Sequence, residues 1–460
     1  MIRLLNAYFP ARTVLLGISE LLLAVCAFLA AMVVYLGPLN TKIALNYEGA
    51  GTRLALIVIV IGSCMYIFDL YDSLVLRSRR ETFARLTQVL GSVCLIVGFM
   101  YTVFPDTRID MRIFFAGTAL AGCILLGWRG LFLSLNAMPL LIERVLVLGG
   151  GSQARAVLGE LERPELGFRV VCHLTEDQDW DGEQGLRDDL ARELQRVVGA
   201  QHVETIIVAM GDRRGRLPVD ALLDLKKQGI NILDGAQLYE VITGKVALDS
   251  LRPSALLFSA GFQVSRRLLL LKRLFSLLLS SCGLVIMAPV MAMIALAIRL
   301  DSPGPVIFRQ RRIGKDGKPF ILYKFRSMYH GADQGHCHPA AVDDKRFTRV
   351  GRRLRATRMD ELPQLWNILR GDMHFVGPRP FVPDQEEVCV GNIPFYTHRW
   401  AVHPGATGWA QVNRGYCANL EDNAEKLAYD LFYIKHMSVG LDILILFKTV
   451  KALLLGRGAR

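Results

Sequence analysis

Two adjacent carboxylates, Asp360 and Glu361, follow one of the most basic stretches of the sequence. Neighbouring residues on a helix point about 100° apart, so the two carboxylates cannot act as one symmetric dyad. One could attack a substrate as a nucleophile while the other holds Mg²⁺, which proteins usually bind through one or two carboxylates and substrate phosphates. Asp360 could equally cap the helix that Pro363 helps to begin, and the two roles are compatible.

Basic side chains dominate the segment that leads into this acidic pair. They are Arg309, Arg311, Arg312, Lys315, Lys318, Lys324, Arg326, Lys345, Arg346, Arg349, Arg352, Arg353, Arg355 and Arg358. Basic groups beside a carboxylate lower its pKa, and the same cations can bind phosphates, which arginine does in a bidentate manner. A solvated basic face, or attraction to anionic lipid headgroups, would also account for many of these residues.

The composition places this chemistry in a membrane protein of two or three domains. The 460 residues are 52% hydrophobic with a formal net charge of +12, and the mean hydropathy is +0.32. Such apolar composition indicates membrane spans, and the basic excess then favours lipid or phosphorylated ligands over nucleic acid, for which no motif is present. The nine cysteines form no CxxC pair and indicate a reducing compartment.

Four apolar runs in residues 1–140 predict a four-helix transmembrane region. They are Val14–Leu36, Leu54–Leu70, Leu86–Phe104 and Ile113–Leu135, each about long enough to cross ~30 Å of hydrocarbon as a helix. Lysine and arginine are in excess at the N-terminus and in the second loop, so both are predicted to be cytoplasmic. Four crossings return the chain to the cytoplasm near Glu143.

Residues 141–250 alternate strands with helices and predict a Rossmann-like, doubly wound parallel sheet. Gly149, Gly151 and Ala154 fit the GxGxxG/A spacing between the first strand and its helix, where a backbone can approach a phosphate. The same glycines would serve a tight turn in a regulatory or dimerising domain. The spacing leaves both interpretations open.

A basic linker, residues 251–267, precedes a fifth apolar run, Leu274–Ile298. Pro289 interrupts this run, and basic residues flank both ends, so both ends should prefer the cytoplasmic face. We therefore expect a re-entrant membrane helix rather than a fifth crossing. Near the C-terminus, Leu441–Leu455 predicts an amphipathic helix that either lies on the membrane or packs in the core.

Several long segments of residues 268–460 resemble the bacterial sugar transferase family of polyprenyl-phosphate phosphoglycosyl transferases. The matching segments are DSPGPVIFRQRRIGKDGKPFILYKFRSM, FTRVGRRLRATRMDELPQLWNILRGDM, FVGPRP, HPGATGWAQVN and YDLFYIKHMSVGLDILILFKTV. Together with the preceding regions, they resemble the large multi-domain branch, which initiates exopolysaccharide or O-antigen synthesis. The arrangement is also similar to the exopolysaccharide transferases associated with exosortase systems.

The resemblance implies a mostly helical α/β monotopic catalytic domain and a two-step reaction. Asp360 would attack the β-phosphate of a UDP-sugar, and polyprenyl phosphate, in the form of undecaprenyl phosphate, would then take the sugar phosphate. Glu361 would bind Mg²⁺. Lys324, Arg326 and Arg355 would contact phosphate or support the site. Arg379 would bind the nucleotide phosphates. Asp430 is a candidate for a role in the site, and the alternative is that it forms a structural ion pair.

The resemblance also implies a location, because UDP-sugars are cytosolic. The protein would be a multi-pass protein of the bacterial inner membrane with its catalytic domain facing the cytoplasm. Membrane lipid and polysaccharide-assembly proteins would be its partners, and the middle domain is a candidate homodimer contact. Pro289 matches the helix-breaking proline of the family, although Ala288 replaces the serine that often precedes it.

Other features depart from the family or suggest a rival function. The order Arg414-Gly415 is the reverse of the commoner order, which puts a substrate role for Arg414 in doubt. The GHCHP segment, residues 335–339, is interpreted as a loop insertion, because adjacent ligands seldom fit one tetrahedral metal site. Two rival functions are open. One is a membrane-anchored, NAD-dependent nucleotide-sugar dehydratase or epimerase, although the YxxxK pair that such enzymes usually need is missing between Val145 and Thr243. The other is a polysaccharide-assembly scaffold without enzymatic activity.

Overall fold

The computed structural model describes most of the chain. The described residues are 2–4, 7–47, 49–72, 79–136, 142–163, 166–175, 182–211, 213, 216–248, 251, 253, 256, 260–262, 265–332, 344–414 and 419–455. The GHCHP segment and Gly415 lie outside them. The predictions made for those positions therefore stay predictions.

A short hairpin and a bundle of apolar helices form the first part of the chain. These elements are β1 Ile2–Leu4, β2 Ala7–Phe9, α1 Ala11–Leu36, α2 Pro38–Tyr47, α3 Ala50–Ile67, α4 Arg79–Val103 and α5 Met111–Asn136. Each of the four predicted runs forms a long helix, and the short α2 was not predicted. Inside the bundle, a buried ion pair joins Glu20 Oε1 to Arg129 Nε at 2.5 Å, and Arg129 also donates to the Leu70 carbonyl at 2.8 Å.

The next part is the predicted parallel sheet. Its elements are β3 Glu143–Leu148, α6 Gly151–Leu161, β4 Phe168–Leu174, α7 Gly182–Gln201, β5 Thr205–Val208, α8 Val219–Lys227, β6 Asn231–Asp234 and α9 Gly235–Thr243. The strand order is β4-β3-β5-β6, with every pair parallel, which confirms the strand–helix prediction. Val145 and Val147 pack towards α6 and α9, while Leu146 and Leu148 pack towards α7 and α8, because side chains alternate between the faces of a strand.

The glycine turn after β3 has a packing requirement of its own. Gly149 has a φ of +129°, and a Cβ atom there would lie 2.5 Å from the carbonyl of Ala209. Only glycine allows this backbone to approach the end of β5 so closely. A tight turn therefore accounts for Gly149 without any ligand.

The last part combines one long helix with small sheets and short helices. These elements are α10 Arg266–Asp301, β7 Ile307–Ile313, β8 Pro319–Phe325, α11 Arg349–Ala356, α12 Gln364–Arg370, β9 His374–Val376, α13 Pro383–Asn392, β10 Gly405–Thr407, α14 Trp409–Asn413, α15 Leu420–Lys435 and α16 Val439–Leu454. β7 pairs antiparallel with β8, and β9 pairs parallel with β10. Among the described residues, five helices are long and apolar enough to cross a membrane, namely α1, α3, α4, α5 and α10.

The C-terminal fold contacts α10 along both of its halves. In the first half, Lys272 pairs with Asp442 of α16 at 2.7 Å. In the second half, Ile298 packs with Phe325 and Leu354 in a separate apolar cluster. α10 is 36 residues long and contains Pro289 within continuous helix, while side chains such as Val285 are exposed between the two contact regions.

α16 packs in the core, which was one of its two predicted arrangements; its place on the membrane stays a prediction. Leu441 and Ile445 are fully buried in the largest apolar cluster, whereas Phe447 and Val450 are exposed. The helix thus packs in the core by one face and leaves an apolar face uncovered.

The sheet domain lies against the C-terminal region. Lys435 Nζ contacts Glu240 Oε2 at 2.7 Å, Trp409 Nε1 donates to the Gly244 carbonyl at 2.7 Å, and Val246 N donates to the Ala428 carbonyl at 3.0 Å. Residues 244–246 therefore belong to an interface rather than to a free linker. The domain boundaries placed after residues 140, 250 and 267 stay predictions.

Candidate active site

The acidic pair lies in a short 3₁₀ turn, Met359–Glu361, between α11 and α12. Arg358 opens this turn with a φ of +55°. The next residue, Leu362, packs against the apolar cluster of Ile298, and Pro363 is the N-cap residue of α12. The prediction that Asp360 caps this helix is therefore wrong, because Asp360 lies one turn earlier.

Asn367 fixes α12 against β8 and was missed by sequence reasoning. Its Nδ2 donates to the Ile321 carbonyl at 2.7 Å and to Asp372 Oδ2 at 3.0 Å, and its Oδ1 accepts from Tyr323 N at 3.0 Å. The side chain is fully buried. Because Lys324 follows Tyr323 on β8, these bonds bring its ammonium group beside the acidic turn.

Two cations converge on Glu361. Lys324 Nζ lies 3.3 Å and Arg379 Nη2 lies 3.1 Å from Glu361 Oε1. Burial raises the pKa of Glu361, but Lys324 and Arg379 outweigh burial and hold that pKa well below its usual range. Glu361 is therefore ionised and charge-compensated.

At Asp360, burial outweighs the neighbouring cations and the pKa is raised. Only 7% of the residue is exposed, and burial raises the pKa of its carboxyl, although Lys324 and Arg355 oppose that rise. Nearby cations lower the pKa of both carboxyls as expected, but only at Glu361 do they outweigh burial; at Asp360 the net shift is upward. The structure thus places two adjacent carboxylates in different environments, one neutralised by ion pairs and the other poorly solvated.

Two further predicted arginines differ in their distance from this chemistry. Arg355 is close enough to Asp360 to act on its charge, and its guanidinium lies over the Phe347 ring at 4.6 Å. Arg326 is buried at the end of α10, where it donates to the carbonyls of Ser302 at 2.7 Å and Pro303 at 2.9 Å. These contacts fit the supporting role for Arg326 rather than direct contact with phosphate.

Asp430 also lies behind the site. Its Oδ2 accepts from Arg399 Nη2 at 3.0 Å, and burial raises its pKa to about 6. Arg399 donates in turn to the backbone carbonyl of Arg379 at 2.8 Å. Asp430 is therefore a structural partner of the segment that carries Arg379, which was the alternative raised by the sequence.

Another arginine, Arg312, contacts the segment that carries Arg379, and sequence reasoning did not single it out. Its Nη1 donates to the Pro380 carbonyl at 3.1 Å, and burial, with the charge of Arg379, lowers its pKa to about 10. The sequence showed Arg312 only as one member of a basic run. Its distinct contacts depend on the pairing of β7 with the segment that follows β9.

The chemistry of the acidic turn fits a magnesium ion that keeps water and phosphate ligands. No group of three or more candidate metal ligands occurs among the described residues. Glu361 is ionised, and Mg²⁺ commonly uses one or two protein carboxylates with substrate phosphates completing its shell. Glu361 is thus the carboxylate that would hold Mg²⁺, and Mg²⁺ binding stays a prediction.

A cavity of about 200 Å³ lies beside the first turn of α6, at the interface with α15. Its walls include Ser152 and Gln153 from α6, together with Tyr239, Lys245 and Glu425. Lys245 Nζ and Glu425 Oε1 form an ion pair at 3.0 Å across it. Ligand binding at Gly149, Gly151 and Ala154 stays a prediction.

Comparison with known proteins gives matches to two family models. Residues 267–456 match the family described as Bacterial sugar transferase, and residues 66–233 match the family described as CoA-binding domain. The first match contains the acidic turn and all the cations described around it.

Curated relatives extend the match beyond the C-terminal region. The UDP-glucose:undecaprenyl-phosphate glucose-1-phosphate transferase of Escherichia coli (strain K12) is 37% identical over 319 residues, which are 67% of each chain. The undecaprenyl-phosphate glucose phosphotransferase of Komagataeibacter xylinus is 33% identical over 327 residues, or 69% of this chain and 60% of the relative. The UDP-N-acetylgalactosamine-undecaprenyl-phosphate N-acetylgalactosaminephosphotransferase of Aeromonas hydrophila is 42% identical over 224 residues, or 49% and 52%. The chain thus spans between half and two thirds of the length of these relatives.

The position of the acidic turn should depend on Asn367. Asn367→Ala leaves the buried Tyr323 N–H and Ile321 carbonyl without their partner, so we expect the free energy of unfolding to fall by about 2–4 kcal/mol. Denaturant unfolding of the purified protein, followed by tryptophan fluorescence, measures the change. Asn392→Ala is the matched control, because it removes an exposed bond to the Val388 carbonyl and should cost less than about 1 kcal/mol. Equal shifts in the two variants would contradict the role given to Asn367.

Proposed function

Because the chain belongs to the bacterial sugar transferase family, we propose that it transfers a sugar 1-phosphate from a UDP-sugar to a polyprenyl phosphate. The reaction releases UMP and forms the polyprenyl-diphosphate sugar that begins exopolysaccharide or O-antigen synthesis. The observation that carries this proposal is the pairing of a buried Asp360 with an ion-paired Glu361 inside the matched region. The curated relatives are named for the same class of reaction.

Asp360 begins the reaction as the nucleophile. One of its carboxylate oxygens attacks the β-phosphorus of the UDP-sugar. The bond from that phosphorus to the oxygen bridging the two phosphates breaks, and UMP leaves with the oxygen and its electron pair. The sugar 1-phosphate stays on Asp360 as an acyl phosphate. Burial supports this role, because a poorly solvated carboxylate loses less hydration when it attacks.

Polyprenyl phosphate completes the transfer. A phosphate oxygen of the lipid attacks the same phosphorus, the bond from phosphorus to Asp360 breaks, and the carboxylate is regenerated. The second displacement mirrors the first, so one set of cations can serve both steps. Two displacements of this kind replace one difficult step with two easier ones.

The surrounding residues bind charge and hold the reacting groups. Arg379, with about a third of its side chain exposed, is placed to bind the nucleotide phosphates, and Lys324 lies deeper beside Glu361. Arg355 acts on the charge of Asp360. Mg²⁺ held by Glu361 would neutralise the diphosphate and stabilise the departing UMP.

The donor sugar has two leading candidates. Relatives are named for glucose 1-phosphate transfer and for N-acetylgalactosamine phosphate transfer. Both UDP-sugars are therefore substrates to be tested, with undecaprenyl phosphate as the acceptor that the relatives' names share.

We also propose that α10 enters and leaves the membrane on the cytoplasmic side. Lys272 and Ile298 would lie about 40 Å apart on a straight helix, which exceeds ~30 Å of hydrocarbon. Both contact the same catalytic fold through Asp442 and Phe325, respectively. A straight crossing would place parts of this polar fold on opposite sides of the membrane. With α1, α3, α4 and α5 as four crossings of the inner membrane, a re-entrant α10 keeps the site with its cytosolic donor.

Loss of the proposed nucleophile should abolish turnover. We expect Asp360→Asn to reduce UMP release by on the order of 10³-fold or more, because an amide cannot form the acyl phosphate. The measurement uses membranes containing the protein with Mg²⁺, undecaprenyl phosphate and each UDP-sugar in turn. Asp384→Asn, in the first turn of α13, is the control carboxylate and should retain activity. Full UMP release by Asp360→Asn would remove Asp360 as the nucleophile.

The two ends of α10 should react from the same side of the membrane. Single cysteines at Arg266 and Asp301, in a chain whose nine native cysteines are replaced, should both react with a membrane-impermeant maleimide only in inside-out vesicles. Tyr47→Cys, in the exposed end of α2, is the control and should react only in right-side-out vesicles. Labelling of the α10 ends from opposite sides would refute the re-entrant arrangement.

A further inference from the structure

We propose that Arg399 is a positioning residue, which places the Arg379 guanidinium against Glu361 by holding the Arg379 backbone. This role rests on the proposed function, since Arg379 acts there on the phosphates. Arg399 lies in the 3₁₀ segment Tyr396–Ala401, which follows α13, and does not itself reach the acidic turn.

Four neighbouring residues hold the Arg399 guanidinium in place. It donates to the Arg379 carbonyl at 2.8 Å and to Asp430 Oδ2 at 3.0 Å, and it also bonds the Tyr396 hydroxyl. Glu386 lies 3.6 Å away. Only 4% of Arg399 is exposed, so the group is a buried cation held by several partners.

The other carbonyls of the segment carrying Arg379 are held as well. Val376 accepts from the Tyr433 hydroxyl at 3.2 Å, Pro378 accepts from Gly405 N at 2.9 Å, and Pro380 accepts from Arg312 at 3.1 Å. Gly377 has no room for a side chain, because a Cβ atom there would lie 2.4 Å from the His403 carbonyl. Residues 376–380 are thus fixed at nearly every peptide.

A purely stabilising role explains this arrangement poorly. Buried ion pairs often stabilise a fold no better than well-packed apolar side chains do, because desolvation offsets their attraction. Among the described residues, the buried Glu386 Oε2 has no hydrogen-bond partner at all, which adds to the cost.

Placement of the Arg379 side chain explains the contacts of Arg399 better. Arg379 has a long, partly exposed side chain, and its ion pair with Glu361 depends on where its backbone lies. A displacement of about 1 Å in a catalytic group can reduce a rate by on the order of 10²-fold. Arg399 fixes that starting point through its bond to the Arg379 carbonyl.

A double-mutant cycle on the full-length protein separates placement from stability. UMP release by Arg399→Gln, Arg379→Ala and the double variant is compared as kcat/KM, with the folded fraction measured by size-exclusion chromatography. We expect Arg399→Gln to lower kcat/KM by about 10- to 100-fold, and the double variant to match Arg379→Ala within about threefold. Arg399→Lys, which keeps the charge, should recover part of the loss. Arg192→Gln, on exposed α7, is the matched control and should equal the wild type.

The outcomes distinguish this role from the proposed function. Losses that multiply in the double variant, or an Arg399→Gln variant with wild-type kcat/KM, would overturn the positioning role alone. A wild-type protein that releases no UMP from either UDP-sugar would overturn the proposed function and this role with it. If Arg399→Gln does not fold, Asp430→Asn replaces it. That variant keeps the shape of the partner, and its loss of activity should vanish in the Arg379→Ala background.

Discussion

The two ion pairs on Glu361 are the interaction on which the arrangement of the active site depends. Lys324 arrives from β8, Arg379 from the segment after β9, and Glu361 from the turn before α12, so three separate elements meet at one carboxylate oxygen. Their meeting neutralises Glu361 and leaves Asp360 as the carboxylate whose charge is compensated least. This difference allows two adjacent acidic residues to take different roles, since the two would otherwise repel each other and share one chemistry.

The remaining architecture holds those three elements in place relative to the apolar helices. α10 contacts the catalytic fold along both halves, and α16 reaches the helical bundle, where Lys451 Nζ donates to the Tyr66 carbonyl at 2.8 Å and pairs with Asp69. The sheet domain contacts α15 through the ion pair between Glu240 and Lys435. In the proposed reaction, a lipid phosphate and a cytosolic nucleotide must meet at one point, and these contacts would keep that point fixed relative to the apolar helices.

The sequence predicted those features that depend on local pattern. Strand–helix alternation predicted the sheet, and the segments resembling the family identified Asp360, Glu361, Lys324 and Arg379, which the structure brings together. Contacts between residues far apart in the chain could not be predicted, because nothing in a single sequence pairs Asn367 with Ile321 or Arg399 with Asp430. The pKa of Asp360 was misjudged for the same reason, since the neighbouring charges are visible in a sequence and burial is not. Arg326 resembled a phosphate ligand by its place in a motif, whereas its contacts are with the end of α10.

The central claim is that Asp360 carries the sugar phosphate between donor and acceptor. Mass spectrometry of the purified protein, incubated with UDP-glucose or UDP-N-acetylgalactosamine and Mg²⁺ but no lipid acceptor, tests it most directly. The account predicts that the peptide containing Asp360 gains the mass of one sugar 1-phosphate less one water, and that undecaprenyl phosphate then removes it. An unmodified Asp360 in protein that has released one equivalent of UMP, or the same adduct on another residue, would contradict it.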